Sequence, residues 1–148
     1  MAFECAVMTQ PEIDGYLQGV HNAVLATIKR DGSPQISSVW YCYDQGQIYI
    51  NMDRASAKYH NISRDARVSV CVDGGPDDSR TVTIYGKAEF IDPSDPRNNS
   101  VTLQIYARYS DNMIEAEALV KEISEDESAR ASCLIAIRPE KIIALNYN

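Results

Sequence analysis

The run Arg80 to Ile91, RTVTIYGKAEFI, narrows the choice of folds more than any other stretch of the chain. Strands usually hold about five or six residues, and one this long in a small sheet has to bend round. A barrel is therefore expected over a flat sheet. Gly86, in the middle of the run, marks a bulge or a close approach by something else. Shorter strand-like runs surround it: His21 to Lys29, Gln35 to Tyr43, Gln47 to Met52 and Arg67 to Asp73. Asp31-Gly32 and Asp44-Gln45-Gly46 are tight-turn signals between the first three, which read as an antiparallel meander. By strand alternation Ile36, Ser38, Trp40 and Cys42 face one way, and Ser37, Val39, Tyr41 and Tyr43 the other.

Helices flank these strands. Thr9 before Pro11 and Glu12 is a helix start, for a helix to about Gln18 or Gly19 that buries Ile13 and Leu17. Asp92 to Pro96 stops the sheet. Two helices are expected after it: Arg97 to Tyr109 with Val101, Ile105 and Tyr109 on one stripe, and Asp111 to Ser124 with Ala116, Leu119, Val120 and Ile123 on another. The last stretch, CLIAIRPEKIIALNY, reads as two strand segments broken by Pro139. No repeat, linker or composition change divides the chain, so residues 1–148 form one expected domain.

Charge limits the partners. The chain has 14 Lys+Arg against 21 Asp+Glu, a net charge of −7. Nucleic-acid binding rests on clustered cations and is not expected. The imbalance is local, however: Lys29 to Arg67 holds six cations and four acids, whereas Asp111 to Glu127 holds seven acids and one lysine. An anionic small molecule belongs near the first of these segments. The four cysteines are scattered without a CxxC, and two histidines do not complete a zinc cluster with them, so no metal is expected. Cys42, Cys71 and Cys133 lie in apolar runs and are expected to be buried thiols. With no signal-peptide pattern and no apolar run long enough to span a membrane, the expected location is the cytoplasm.

Arg54 to Arg67, RASAKYHNISRDAR, carries the clearest sign of a ligand. Ser56 can cap a short helix. Lys58, Asn61 and Asp65 then share one face, and Tyr59 and Ile62 form an apolar stripe. A lysine in the first turn opposes the helix dipole, which makes sense if an anion is held at that end. The same stretch also reads as a solvated connecting helix. No GxGxxG, P-loop, Ser-His-Asp or Cys-His pattern accompanies it. His21 and His60 read as structural or exposed, and Trp40 as a core or dimer-interface aromatic. Any difficult chemistry would belong to a bound cofactor.

The residues from Ala23 to Tyr41, the strand ending at Asn51-Met52, and SAKYHNISRDARVSV resemble the flavin/deazaflavin oxidoreductases of the pyridoxamine 5'-phosphate oxidase-like superfamily. The likeness is to their deazaflavin (coenzyme F-420) branch, whose motif K-x-x-N-L-x-R-D-P-R-V is matched by Lys58, Asn61, Ile62, Arg64, Asp65, Ala66, Arg67 and Val68, with Ala66 in place of proline. The resemblance implies a mainly β fold with flanking helices, a six-stranded antiparallel split β-barrel of the FMN-binding type. It also implies a homodimer with two cofactor sites between subunits. The cofactor, coenzyme F-420 or alternatively FMN, would rest its phosphate end on Ser56 and Lys58, with Arg54 and Asn61 close by. Its ring would lie near Ser37, Ser38, Val39 and Asn51. The implied activity is hydride transfer from the reduced cofactor to an unsaturated small-molecule substrate, with a proton from solvent or a pocket tyrosine and no catalytic residue named. The alternatives are an FMN-dependent oxidoreductase of the same fold and a non-catalytic module that binds flavin or haem. The C-terminal segment lacks the Arg- and His-containing substrate signature of true pyridoxamine-phosphate oxidases.

Overall fold

A computed structural model of the chain describes residues 5–125 and 132–147, with the side chains of 123–125 outside the described set. The elements, in order, are β1 (Ala6–Val7), α1 (Gln10–Leu17), β2 (Asn22–Ile28), β3 (Pro34–Val39), β4 (Cys42–Asp44), β5 (Gln47–Asp53), α2 (Ala57–Arg64), β6 (Arg67–Asp73), β7 (Arg80–Phe90), α3 (Arg97–Tyr109), α4 (Met113–Glu125) and β8 (Ser132–Asn146). The strands form one antiparallel sheet in the order β3-β2-β6-β7-β8-β5-β4, with β1 added to β8.

The meander expected of the first three strands does not form. Trp40 and Tyr41 leave the strand, so the predicted run 35–43 becomes two pieces that pair with different neighbours: β3 with β2, and β4 with β5. The two edges of the sheet are thus consecutive pieces of one bent segment. This also corrects the expected strand count, from six to seven along the sheet; β3 and β4 taken as a single bent strand restore six. The β4–β5 hairpin has two loop residues, Gln45 and Gly46, both at positive φ (49° and 77°). That is the type I′ arrangement whose twist matches the strands.

The sheet curls because one of its faces closes on itself. Leu25, Ile48, Ile50, Val70, Val72, Val82, Ile84, Ile135 and Ile137, drawn from β2, β5, β6, β7 and β8, meet in a single buried cluster. Helix α1 adds Ile13, Tyr16 and Leu17 to that cluster. Burying Ile13 and Leu17 contributes roughly 1.5–3 kcal/mol each. The helix starts in a capping box, with the Glu12 N–H donating to Thr9 Oγ1 and the Thr9 N–H to Glu12 Oε1. A second, smaller cluster lies on the outer face, where α3 covers β4, β5 and β8. It joins Val101 and Ile105 to Cys42, Tyr49, Leu134 and Ala136. The middle of β8 is therefore buried on both faces, as its unbroken apolar sequence CLIAI requires.

Two further expectations change. Pro139 does not divide the last strand: β8 runs through it, with the extra residue Glu140 bulged out opposite the step from Tyr85 to Gly86. Gly86 is needed there, because a Cβ would collide with the Arg138 carbonyl. Cys71 is exposed, not buried. Val68, Val70 and Val72 take the inward positions of β6, and period-two alternation sends Cys71 outward. Cys42 and Cys133 are buried as expected. On α4, Ala116 is fully buried and Val120 half-buried, but Leu119 is exposed; Ile123 lies outside the described side chains. Among the described residues no helix is long and apolar enough to cross a membrane.

Candidate functional site

The turn from Asp53 to Ser56 sets the entry to α2. Asp53 Oδ1 accepts the Ala55 N–H at 2.7 Å, and the Asp53 carbonyl accepts both the Ser56 N–H (3.0 Å) and its hydroxyl (2.6 Å). Ser56 then caps α2 by accepting the Tyr59 N–H at 3.3 Å. Its proton is therefore committed to Asp53 and its acceptor role to the helix. The backbone N–H groups of Ala57 and Lys58 have no partner among the described residues. Lys58, half-buried, has neither an ion pair nor a hydrogen bond among them. A cation beside free helical N–H groups is an anion site in electrostatic terms.

Lys58 stands in the wall of a cavity of about 560 Å³, together with Ser38, Val39, Asn51, Met52, Asp53 and Ser132 toward β3, β5 and β8. The remaining wall is His21, Asn22, Ala23, Trp40, Tyr106 and Tyr109. The volume suits a small organic ligand. Four of the eight residues proposed from sequence thus line one cavity: Ser38, Val39, Asn51 and Lys58. Ser37, Arg54, Ser56 and Asn61 do not.

Each of those four has another place. Ser37 is half-buried on β3, alternating with Ser38. Ser56 is the helix cap. Arg54 lines a separate cavity of about 310 Å³ beside Tyr59, Phe90 and Cys133, and its Nε is buried with no hydrogen-bond partner among the described residues. Asn61 is buried, and its Nδ2 donates to Thr27 Oγ1 (3.1 Å) and Gln35 Oε1 (2.8 Å) while its Oδ1 accepts from Arg64 (3.0 Å). It fastens α2 to β2 and β3. Asp65 lies beyond the last helical residue, as the C-cap, and not on the face it was expected to share with Lys58. Arg67 binds it at 2.7 Å and holds its carboxyl down to about 2.

The aromatic end of the cavity went unrecognised in the sequence. Trp40 is 46% exposed. It stacks on Tyr109 at 5.0 Å and 2°, with Tyr106 edge-on at 5.8 Å and 84°. It is not a core residue. Tyr106 and Tyr109 arrive on α3, whose end is held by Arg108: Nε donates to the Tyr41 carbonyl (3.1 Å), Nη1 to Gln18 (3.0 Å) and Nη2 to Gly19 (2.6 Å). The Tyr109 hydroxyl donates to the His21 carbonyl at 2.9 Å. Burial raises the pKa of both phenols. Asn51 ties the polar end together, donating to Thr102 Oγ1 (3.2 Å) and Ser132 Oγ (3.3 Å). The spacing of Tyr106 and Tyr109, one helical turn apart, was the one available sign of this wall. It reads equally as core packing. Among the described residues no group of three or more His, Cys, Asp or Glu side chains is placed to hold a metal.

A curled antiparallel sheet whose edges are two pieces of one bent strand, with a polar and aromatic cavity beside the bend, defines the split-barrel class of proteins. Comparison with known proteins agrees with that class. The chain belongs to the pyridoxamine 5'-phosphate oxidase family, whose model matches residues 9–146. Among solved structures it is similar to a conserved hypothetical protein, Rv2991, from Mycobacterium tuberculosis (26% identity, TM-score 0.79, covering 96% of this chain and 87% of that one). It is also similar to an F420 reductase (23% identity, TM-score 0.67, 87% and 94% covered) and to HutZ, the haem storage protein of Vibrio cholerae (16%, 0.72, 94% and 96%).

Proposed function

We propose that the chain is a deazaflavin-dependent oxidoreductase whose cofactor lies in the cavity between Lys58 and Trp40. The observation that carries this reading is Lys58, without an ion pair or hydrogen bond among the described residues, in the same wall as Ser38, Val39 and Asn51. Lys58 and the N–H groups of Ala57 and Lys58 would hold the phosphate end, as charge-assisted donors. Ser38, Asn51 and Ser132 offer hydrogen bonds to polar edges of a ring system, and Trp40 and Tyr109 offer a flat apolar wall. Bound there, the reduced cofactor supplies a hydride to an unsaturated small molecule. The chain's own part is to bind, to orient and to exclude water. Similarity to an F420 reductase supports the deazaflavin over FMN. Of the two imidazoles a haem could use, His60 lies on the exposed side of α2 and outside the cavity wall.

The same reading includes a homodimer. Ile36 (69% exposed), Tyr85 (42%) and Ile143 (38%) stand on the outer face of the sheet with Cys71, a surface a second copy would cover. Calorimetric titration of the purified chain with coenzyme F-420 and with FMN is the test. Saturable binding of the deazaflavin, tighter than that of FMN, is expected. Binding of neither contradicts the proposal, and tighter FMN binding replaces the cofactor.

A further inference from the structure

His21 is a positioned imidazole for which the function proposed above has no task. Its Nε2 stands 2.8 Å from the Tyr16 carbonyl oxygen, and its ring stacks on the Tyr16 ring at 4.2 Å and 18°. A carbonyl only accepts, so Nε2 carries the proton in the neutral ring. Nδ1 is then the free polar atom, with no partner among the described residues. Tyr16 is itself fixed, its hydroxyl lying within 3.3 Å of the Val72 and Arg80 carbonyls. Gly19 leaves the room, since a Cβ there would stand 2.6 Å from His21 Nε2. The imidazole is thus held in one orientation and one tautomer, on a residue that lines the cavity.

We propose that His21 is the general acid of the cavity, its Nδ1 delivering a proton to the substrate as the substrate is reduced. The inference rests on the reductase reading. For a conjugated enone, hydride addition at the β-carbon breaks the C=C π bond and leaves an enolate that needs one proton. The Nδ1–H bond of the imidazolium breaks to supply it, forming the O–H of the enol, which rearranges to the saturated ketone. The ring is left neutral with Nε2–H still on Tyr16, and solvent restores the Nδ1 proton. The reduced deazaflavin is the only reductant required. Of the charged and titratable groups nearby, Tyr16 of α1 stacks on the ring and Asp78, with its partner Arg80, lies within electrostatic reach of it; Asp73 of β6 stands opposite Asn22, and the Tyr109 hydroxyl of α3 bonds the His21 carbonyl. Arg80 holds the Asp78 carboxyl down to about 2, so it is an anion at neutral pH. Tyr106 is the rival donor, but its burial makes it a weaker acid.

The test compares wild type with His21→Gln, whose side-chain amide can still donate to the Tyr16 carbonyl but offers no acid. Both are given reduced deazaflavin and 2-cyclohexen-1-one over the range in which imidazoles change charge, about pH 5 to 8. The variant should lose roughly 10²- to 10⁴-fold in kcat and with it the wild-type pH-dependent limb. Deazaflavin affinity by calorimetry and quenching of Trp40, the single tryptophan, should be unchanged. In ¹⁵N spectra of the wild type, His21 should show the Nε2–H tautomer and respond to the enone, with His60 as reference. A variant kcat close to wild type, a surviving pH limb, or an Nδ1–H tautomer overturns the inference, the last even if His21→Gln folds poorly. A wild type that binds deazaflavin but reduces no enone also counts against the acid. A wild type that binds no deazaflavin contradicts the reductase reading first, and this inference with it.

Discussion

Asn61 shows how one side chain can serve the fold where the motif implied the ligand. It joins Thr27, Gln35 and Arg64 in a buried network, and Thr27 is itself only 2% exposed. Asn61→Ala removes a partner from that buried hydroxyl, which should destabilise the chain by about 1–3 kcal/mol. Urea unfolding would measure it, while the affinity for deazaflavin should stay as in wild type. Three phenols make a separate prediction. Burial pushes Tyr16 and Tyr43 up to about 12, and Tyr41 higher still. A raised folded-state pKa gives stability that is complete below the unfolded value, about 10. That stability is lost as pH climbs through the folded value. The loss is therefore expected between pH about 10 and about 12. Phenolate absorbance should show these three ionising only as the chain unfolds; ionisation of all nine tyrosines near pH 10 with the fold intact would contradict it. At this scale the sequence revealed Lys58 through its conflict with the helix dipole. It could not reveal the place of Trp40, whose partners Tyr106 and Tyr109 lie far away along the chain.

Among the elements, α3 joins the core to the site. Its buried face, Val101 and Ile105, was legible from helical periodicity, and the strand 80–91 from its length. The bend at Trp40-Tyr41 was not, because the run 35–43 alternates without a break and only the competing partners of β3 and β4 divide it. Arg108 fixes the end of α3 through three carbonyls, two of them at the end of α1. Arg108→Met would leave those carbonyls without a charged donor. Hydrogen bonds to charged groups contribute about 1.5–3 kcal/mol each, and three on one guanidinium do not add in full. A loss of a few kcal/mol in chemical denaturation is expected. Trp40 emission should shift as well, because Tyr109 and Tyr106 move with α3. A destabilised variant with unchanged emission would mean that Arg108 anchors the helix without shaping the cavity.

For the whole molecule, the barrel was legible as a class because a strand as long as the run 80–91 has to bend round in a small sheet. Its outer surface was harder to read. Cys71 sits in an apolar run but faces outward, since the inward positions on β6 belong to its neighbours, and Ile36 is exposed between the polar Gln35 and Ser37 of β3. A second copy against this face would remove Ile36, Tyr85 and Ile143 from water. Sedimentation at micromolar concentration with deazaflavin present should therefore give a dimer mass. Ile36→Lys should shift it toward monomer without unfolding the chain. A wild-type monomer would contradict the assembly.

The central claim is that the cavity beside α2 binds an anionic cofactor through Lys58. Calorimetric titration of wild type and Lys58→Ala with coenzyme F-420 tests it most directly. A first-turn lysine opposes the helix dipole and contributes little to folding, so the variant should keep the wild-type melting temperature. Loss of one charge-assisted contact, roughly 1.5–3 kcal/mol, should raise Kd about 10- to 150-fold. Added salt should weaken wild-type binding more than that of the variant. Equal affinity in the two proteins would contradict the assignment and leave a split barrel whose ligand lies elsewhere.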